Sequence, residues 1–333
     1  MKLKEIAKSA NTSVSTVSRV LNNKTGVGKE KRDLIEKLLI ESGFYNNSYK
    51  IANDIKRIAV IVSDLKNPFF SEIVKKITEE SRKESYQVLI FDTDENFQNE
   101  IESIDSIIKS NILGVIMCPS GGSNSEKNLK KLEDYSIPFV LFDRELDFYH
   151  DGVFLDDFKA GFLATEALIK ENHSNIGILV GKLKHKNMYN RFLGYCHALK
   201  VYNIEFNNSF IYEIDLEVQD GYNVAKSICS KNSNLSAIFS CSNLITLGFI
   251  KYQNEINKKN KISIIGFDNP DYFDILNLNI SSITRSISEI GLISAKMLFK
   301  KLKNNTEHTQ KIIINPILKL KGSEKIKNEA VDN

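Results

Sequence analysis

The chain has 333 residues, of which 42% are apolar and 26% charged, and its formal net charge is +3. That length suits two or three domains; the composition excludes a disordered chain; no apolar run reaches the 18 residues of a membrane span. The opening MKLKEIAKSA lacks the apolar stretch of a signal peptide. Four scattered cysteines (Cys118, Cys196, Cys229, Cys241) form no CxxC pair, so a reduced, cytoplasmic protein without a disulfide framework is expected. A net +3 is too small to point to nucleic acid, but the average hides an asymmetry. Up to Arg57 twelve Lys/Arg face six Asp/Glu, which places +6 on that segment and leaves −3 on the remainder.

In chain order, the first elements read as helices. Leu3, Ile6, Ala7 and Ala10 make one apolar stripe at helical spacing, broken by Asn11 and Thr12. Val14, Val17, Val20 and Leu21 make a second. The polar, glycine-containing turn Asn22–Gly28 follows. Leu34, Ile35, Leu38 and Leu39 make a third helix, with Gly43 placed to cap its end. After a polar, patternless linker, short β-branched runs alternate with amphipathic stretches from Ile58 onward. The runs include IAVIV (58–62), VLIFD (88–92), ILGVIMC (112–118), PFVLFD (138–143), IGILVG (176–181), AIFSC (237–241) and ISIIGFD (262–268). Nearly continuous apolar strands imply parallel sheets covered on both faces by helical crossovers. The fold class expected is therefore α/β: a three-helix head, then doubly wound lobes, for which about 265 residues provide room for two.

The first two helices and their tight turn fit a helix-turn-helix, although an ordinary helical hairpin with a solvated serine face has the same periodicity. In the first reading the second helix buries Val17, Val20 and Leu21 and turns Ser15, Ser18, Arg19 and Asn22 outward. Small side chains at its start let the backbone approach base edges, and Arg19 can fork onto guanine O6 and N7. Thr16, Ser18 and neighbouring amides suit phosphate oxygens.

The run LKEIAKSANTSVSTVSRVLNN, and within it Thr16-Val17-Ser18-Arg19-Val20-Leu21-Asn22, resembles the DNA-binding head of the lactose/galactose repressor (LacI/GalR) family. Further matches run along the chain: Asn67-Pro68-Phe69-Phe70, Phe142-Asp143-Arg144, Arg191-Phe192-Leu193-Gly194-Tyr195, Ile265-Gly266-Phe267-Asp268, Ser282-Ile283-Thr284 and Pro316-Ile317-Leu318. The resemblance implies a homodimeric regulator of transcription, a repressor by default, whose heads read a near-palindromic operator on double-stranded DNA. It places Val14 and Ser15 at the bases and makes Arg19 a shared contact. It divides the chain into a helix-turn-helix domain (1–46), a hinge linker (47–57), an effector-binding and dimerisation domain (58–323) and a charged tail (324–333). The lobes are then about 58–156 plus 286–314 and about 157–285 plus 315–323, of periplasmic-binding-protein type. The tail shows no leucine heptads that would add a tetramerising coil.

Four features of the head and linker depart from the family pattern. Asn46 replaces the proline after the third helix, and the linker is about three residues short by alignment. No leucine is present to wedge into the minor groove; either Ile51 takes that role or the hinge bends DNA less. Gly28 replaces the serine that caps the third helix, a loss of only a few tenths of a kcal/mol.

For the body, the resemblance implies a small carbohydrate-type effector held between the lobes. It places Phe69, Phe70, Asp143, Arg191, Leu216, Ser242, Asp268 and Arg285 at that cleft. Carboxylates accept from sugar hydroxyls, an arginine fork donates, and aromatic rings cover a pyranose face. The competing reading makes Phe69 and Phe70 core and the charged residues structural ion pairs. Ser242-Asn243 replaces the usual Asn-Asp, Leu216 stands where relatives stack an aromatic, and Arg285 stands where the lactose repressor has a neutral amide. One more cation and fewer acceptors point to a sugar phosphate or sugar acid, unless Arg285 pairs with Asp143 or Asp268.

An enzyme is not expected: there is no GxGxxG after a strand, no GxxxxGK[ST] and no GxSxG. The five histidines have no HxxxH or HExxH spacing, so neither a metal nor another cofactor is expected. Two alternatives stay open: a body that answers to a partner protein, and a soluble sugar-binding protein without regulation.

Overall fold

A computed structural model describes residues 3–21, 26–42, 55–148, 150–230, 234–256, 261–303 and 308–325. The chain separates into two compact units, Met1–Lys56 and Arg57–Asn333.

The first unit holds α1 (Leu3–Ser9), α2 (Val14–Leu21) and α3 (Lys29–Glu41). Asn11 explains the turn between α1 and α2. It sits in the left-handed region at φ 46°, where asparagine is tolerated. The amide of Thr12 donates to the Ala7 carbonyl and that of Asn11 to the Lys8 carbonyl, so the orphan carbonyls ending α1 are satisfied by a Schellman pattern. Ser13 then starts α2, its Oγ accepting from the Thr16 amide at 3.1 Å. The core is small: Ile6, Ala7, Ala10, Val17, Val20, Ile35 and Leu39. Gly28 is the N-cap of α3 without a side-chain cap, and Ser42 closes the helix in helical geometry. Gly43, the expected cap, lies outside the described residues.

The second unit runs β1 (Lys56–Val62), α4 (Pro68–Lys83), β2 (Tyr86–Asp92), α5 (Phe97–Lys109), β3 (Val115–Met117), α6 (Ser125–Asp134), β4 (Phe139–Phe142) and β5 (Gly152–Leu155). It continues with α7 (Asp157–Lys170), β6 (Ile176–Val180), α8 (Lys186–Val201), β7 (Ile211–Glu213), α9 (Val218–Ser230), β8 (Ala237–Ser240), α10 (Asn243–Glu255) and β9 (Ser263–Phe267). The last elements are α11 (Asp271–Ile275), β10 (Ser281–Thr284), α12 (Ile287–Lys303), β11 (Lys311–Ile314) and β12 (Ile317–Lys319).

Two six-stranded sheets result, ordered β11-β5-β4-β3-β1-β2 and β12-β10-β9-β8-β6-β7. The chain therefore crosses from one sheet to the other three times, after β5, after β10 and after β11. Helix α12 returns from the second crossing to pack on α4 of the first lobe. Residues Ile58, Val60 and Val62 of β1 and Ile176, Ile178 and Val180 of β6 are fully or almost fully buried, as continuous apolar runs require.

Two features depart from the expected all-parallel, doubly covered sheets. β12 runs antiparallel to β10, as an edge strand that arrives straight from β11 without a helix. β2 is an edge strand with side chains exposed on both faces; Leu89 is 39% and Ile90 47% exposed. Tyr86, Val88 and Phe91 pack against the cores, so it is Leu89 and Ile90 that burial within one chain does not explain.

Candidate functional site: a helix-turn-helix face and an interlobe cleft

In the first unit, α2 divides its residues by period. Val17 and Val20 are buried, whereas Val14, Ser15 and Arg19 are exposed and Thr16 and Ser18 half-exposed. The Ser13 hydroxyl pairs with those of Ser15 at 2.7 Å and Thr16 at 2.8 Å, which keeps the start of the helix small and polar. Arg19 lies beside Gly26, whose backbone at φ 97° favours glycine. Asn22 and Ile51, the other residues assigned to DNA, lie outside the described residues.

In the second unit, all eight residues assigned to an effector line one cavity of about 430 Å³. Short loops after strand ends position them. Asp143 follows β4 and Asp268 follows β9, each with positive φ (63° and 57°). Aspartate is among the few non-glycine residues that this left-handed region tolerates. Phe69 and Phe70 occupy the first turn of α4, whose start is set by Pro68 and by the Asn67 side chain accepting from the Phe69 amide. Leu216 lies between β7 and α9, and Ser242 is the N-cap residue of α10.

Arg191 owes its position to a glycine crossing. A Cβ on Gly161 of α7 would lie 2.0 Å from the Arg191 carbonyl, and one on Gly194 of α8 2.1 Å from the Phe158 carbonyl. Only glycines let the two helices approach so closely. Arg191 Nε then donates to Asp157 at 2.7 Å and Nη1 to the Cys241 carbonyl at 2.7 Å, while the guanidinium lies 3.5 Å from the Phe267 ring centroid. Burial lifts the Asp157 carboxyl to about 6, against the pull of Arg191.

Arg285 lies on the second crossing. Its Nε and Nη2 fork onto both oxygens of Asp268, each at 3.1 Å, and its Nη1 donates to Asp143. The same guanidinium lies 3.5 Å from the Phe69 centroid. Burial opposes charge on Asp143, but Arg285, Arg191 and Arg144 together outweigh it and hold the carboxyl below its ordinary range. The pairing of Arg285 with both carboxylates answers the alternative left open by the sequence. Its charge is balanced internally, and the Phe69 face expected to cover a sugar lies under its guanidinium. Phe70 packs edge-on against Phe69 and Phe142 as core.

Several residues on or behind the cavity wall escaped sequence reasoning. Asp157 reads as an ordinary acidic first turn. Asn187 donates to Asp143 at 3.2 Å. Glu95 binds the Arg144 fork, at 2.8 Å to Nη1 and 2.5 Å to Nη2. His185 is buried, and burial, with Arg144 and Lys184 nearby, lowers its pKa to about 3. Asn243 donates to Asn67 at 3.0 Å, yet its own Oδ1 is buried without a partner among the described residues. Periodicity carries no sign of any of these pairings. Among the described residues no cluster of His, Cys, Asp or Glu is arranged to hold a metal ion. Cys118 and Cys241 are buried and Cys196 and Cys229 half-buried, all four as free thiols.

A helical DNA-reading unit joined to a two-lobed body with a polar cavity between its strand ends defines a ligand-responsive DNA-binding protein. Residues 2–47 match bacterial regulatory proteins of the lacI family, and residues 56–324 match periplasmic binding proteins and the sugar binding domain of the LacI family. The chain belongs to the LacI family, and is a transcription regulator rather than an enzyme. It is 28% identical over 332 residues to the HTH-type transcriptional repressor PurR of Pasteurella multocida, covering 97% of this chain and 98% of that one. It is 28% identical over 331 residues to the ribose operon repressor of Haemophilus influenzae, covering 96% and 98%. The fold matches a LacI family transcriptional regulator from Enterococcus faecium with bound ribose at a TM-score of 0.74, with 24% identity, over 82% of this chain and 100% of that one.

Proposed function

We propose that this regulator is a cytoplasmic, homodimeric repressor that binds a near-palindromic operator and is controlled by a carbohydrate-type effector in the interlobe cleft. The observation that carries the effector reading is the convergence of eight residues, scattered from Phe69 to Arg285, on one cavity. The ribose bound by the regulator from E. faecium and the name of the relative from H. influenzae support it. In this reading Val14 and Ser15 contact bases, Arg19 forks onto a guanine, and Thr16, Ser18 and Asn22 hold phosphates. Ile51 is the wedge candidate in the linker. The division into residues 1–46, 47–57, 58–323 and 324–333 belongs to the same proposal, with lobes of 58–156 plus 286–314 and 157–285 plus 315–323. The exposed Leu89 and Ile90 on the edge strand β2 support dimerisation.

The test is selection of bound duplexes from a random pool by the full chain, followed by fluorescence anisotropy on the selected site. A near-palindrome is expected. Arg19→Ala should abolish specific binding, and Val14 or Ser15 changes should shift the selected sequence. Two heads neutralising about six phosphates should lose roughly 10³ in affinity between 50 and 200 mM salt. Equal affinity of Arg19→Ala and the native protein, or a flat salt dependence, refutes the DNA reading.

A further inference from the structure

The guanidinium of Arg285 is enclosed by Asp268, Asp143 and the ring of Phe69. Two carboxylates and an aromatic face are what a cleft uses to hold the hydroxyls and the apolar side of a sugar ring. Here the chain's own arginine takes all three. Only 5% of its side chain is exposed, and the cavity keeps about 430 Å³ beside it, within the usual range of small-molecule sites.

Charge adds a second constraint. Seven acidic side chains line the cavity against six basic ones, and Arg285 is paired with both Asp143 and Asp268, so the wall offers no net positive charge. The polar groups left over add a third. Asn243 is 2% exposed and its Oδ1 has no partner among the described residues. Ser242 is the N-cap residue of α10 but makes no side-chain cap bond. Both lie on the cavity wall.

We propose that Arg285 is the specificity determinant of the cleft: a tethered cation seated on Asp143, Asp268 and Phe69 in the place of a sugar ring, so that the effector binds beside it, against Asn243 and Ser242, and carries no negative charge. This rests on the reading of the cleft as a carbohydrate site. Substitution of Arg285 by glutamine unseats the cation and releases both carboxylates, whereas lysine keeps a charge there without the fork.

The experiment is calorimetric titration of the native full chain, Arg285→Gln and Arg285→Lys with D-ribose and ribose 5-phosphate, with folding checked by circular dichroism. An array of neutral mono- and disaccharides is screened against the native chain in parallel. Arg285→Gln is expected to bind D-ribose at least tenfold more tightly than the native chain, and Arg285→Lys to show no such gain. Equal or weaker ribose binding by Arg285→Gln overturns the proposal, as does native binding of ribose 5-phosphate that exceeds ribose binding and depends on Arg285. The array separates the two readings. A native response to a neutral sugar without a gain in Arg285→Gln sinks the role of Arg285 and leaves the carbohydrate site standing. A gain in Arg285→Gln with a silent native array upholds the role of Arg285 and sinks the natural carbohydrate effector. No response from either protein sinks both. If Arg285→Gln does not fold, the double change Arg285→Gln with Asp143→Asn removes a stranded carboxylate and carries the same test.

Discussion

Replacing Arg191 by methionine strikes the floor of the cleft. The side chain is 2% exposed and bonds to Asp157 and the Cys241 carbonyl, both at 2.7 Å. Methionine fills much of the volume but leaves Asp157, itself 4% exposed, without its cation and with the Asp143 charge still nearby. Removing one partner of a buried pair costs about 3–5 kcal/mol. A ceiling exists, because Asp157 can enter the folded state protonated. From an unfolded pKa of about 3.9, at about 1.36 kcal/mol per pH unit, that route costs about 4 kcal/mol at pH 7 and about 1.5 kcal/mol at pH 5. The native protein changes as well. Its Asp157 titrates at about 6, above the unfolded value, so the stability linked to this group is fully present below the unfolded pKa and is lost as pH rises through 6. The native chain thus gains on the order of 1 kcal/mol from this group on going from pH 7 to pH 5, and the variant roughly twice that. Urea unfolding followed by circular dichroism should show a penalty of about 3–4 kcal/mol at pH 7 that shrinks by roughly 1 kcal/mol at pH 5. A penalty below about 1 kcal/mol at pH 7, or one that does not shrink, refutes the pairing with Asp157 as what holds Arg191.

His185, buried with a pKa lowered to about 3, holds stability above its unfolded pKa of about 6.5 that is lost as pH falls. Its share at pH 5 is a loss of about 2 kcal/mol; His185→Gln should flatten the decline in unfolding free energy between pH 6.5 and 5, and an unchanged slope refutes its burial as the cause. Gly194→Ala would set a Cβ 2.1 Å from the Phe158 carbonyl and force α7 and α8 apart. Even with about 1 kcal/mol of helix propensity regained, a net loss of roughly 2 kcal/mol and a melting temperature lower by about 4–8 °C are expected by calorimetry; an unchanged temperature contradicts the close crossing. Leu89→Asp with Ile90→Asp should turn the protein monomeric in sedimentation equilibrium, and a dimer of undiminished strength would place the interface elsewhere.

The sequence by itself determined the head and the class of the body. The stripes from Leu3 to Leu39 obey a local period, and Asn11 and Ser13 are local punctuation, so α1 to α3 needed no distant contact to be legible. Seven apolar runs marked strands of both sheets, and the strand-end motifs around Phe69, Asp143, Arg191 and Asp268 named residues that the fold brings to one cavity. The strands β5, β7 and β10 to β12 stood outside those runs: β7, β11 and β12 are partly exposed edge strands, and β10 (SSIT) is largely polar. What only the tertiary structure decided was partnership. Arg285 meets Asp143 across 142 positions of the sequence, Arg191 finds Asp157 through a glycine crossing, and Asn243 reaches Asn67 across 176. Period and composition are local properties of a chain, whereas an ion pair depends on which strand ends the three crossings bring together. That is why the extra cation, read from sequence as an offer to an anion, is in the folded protein already engaged by two aspartates.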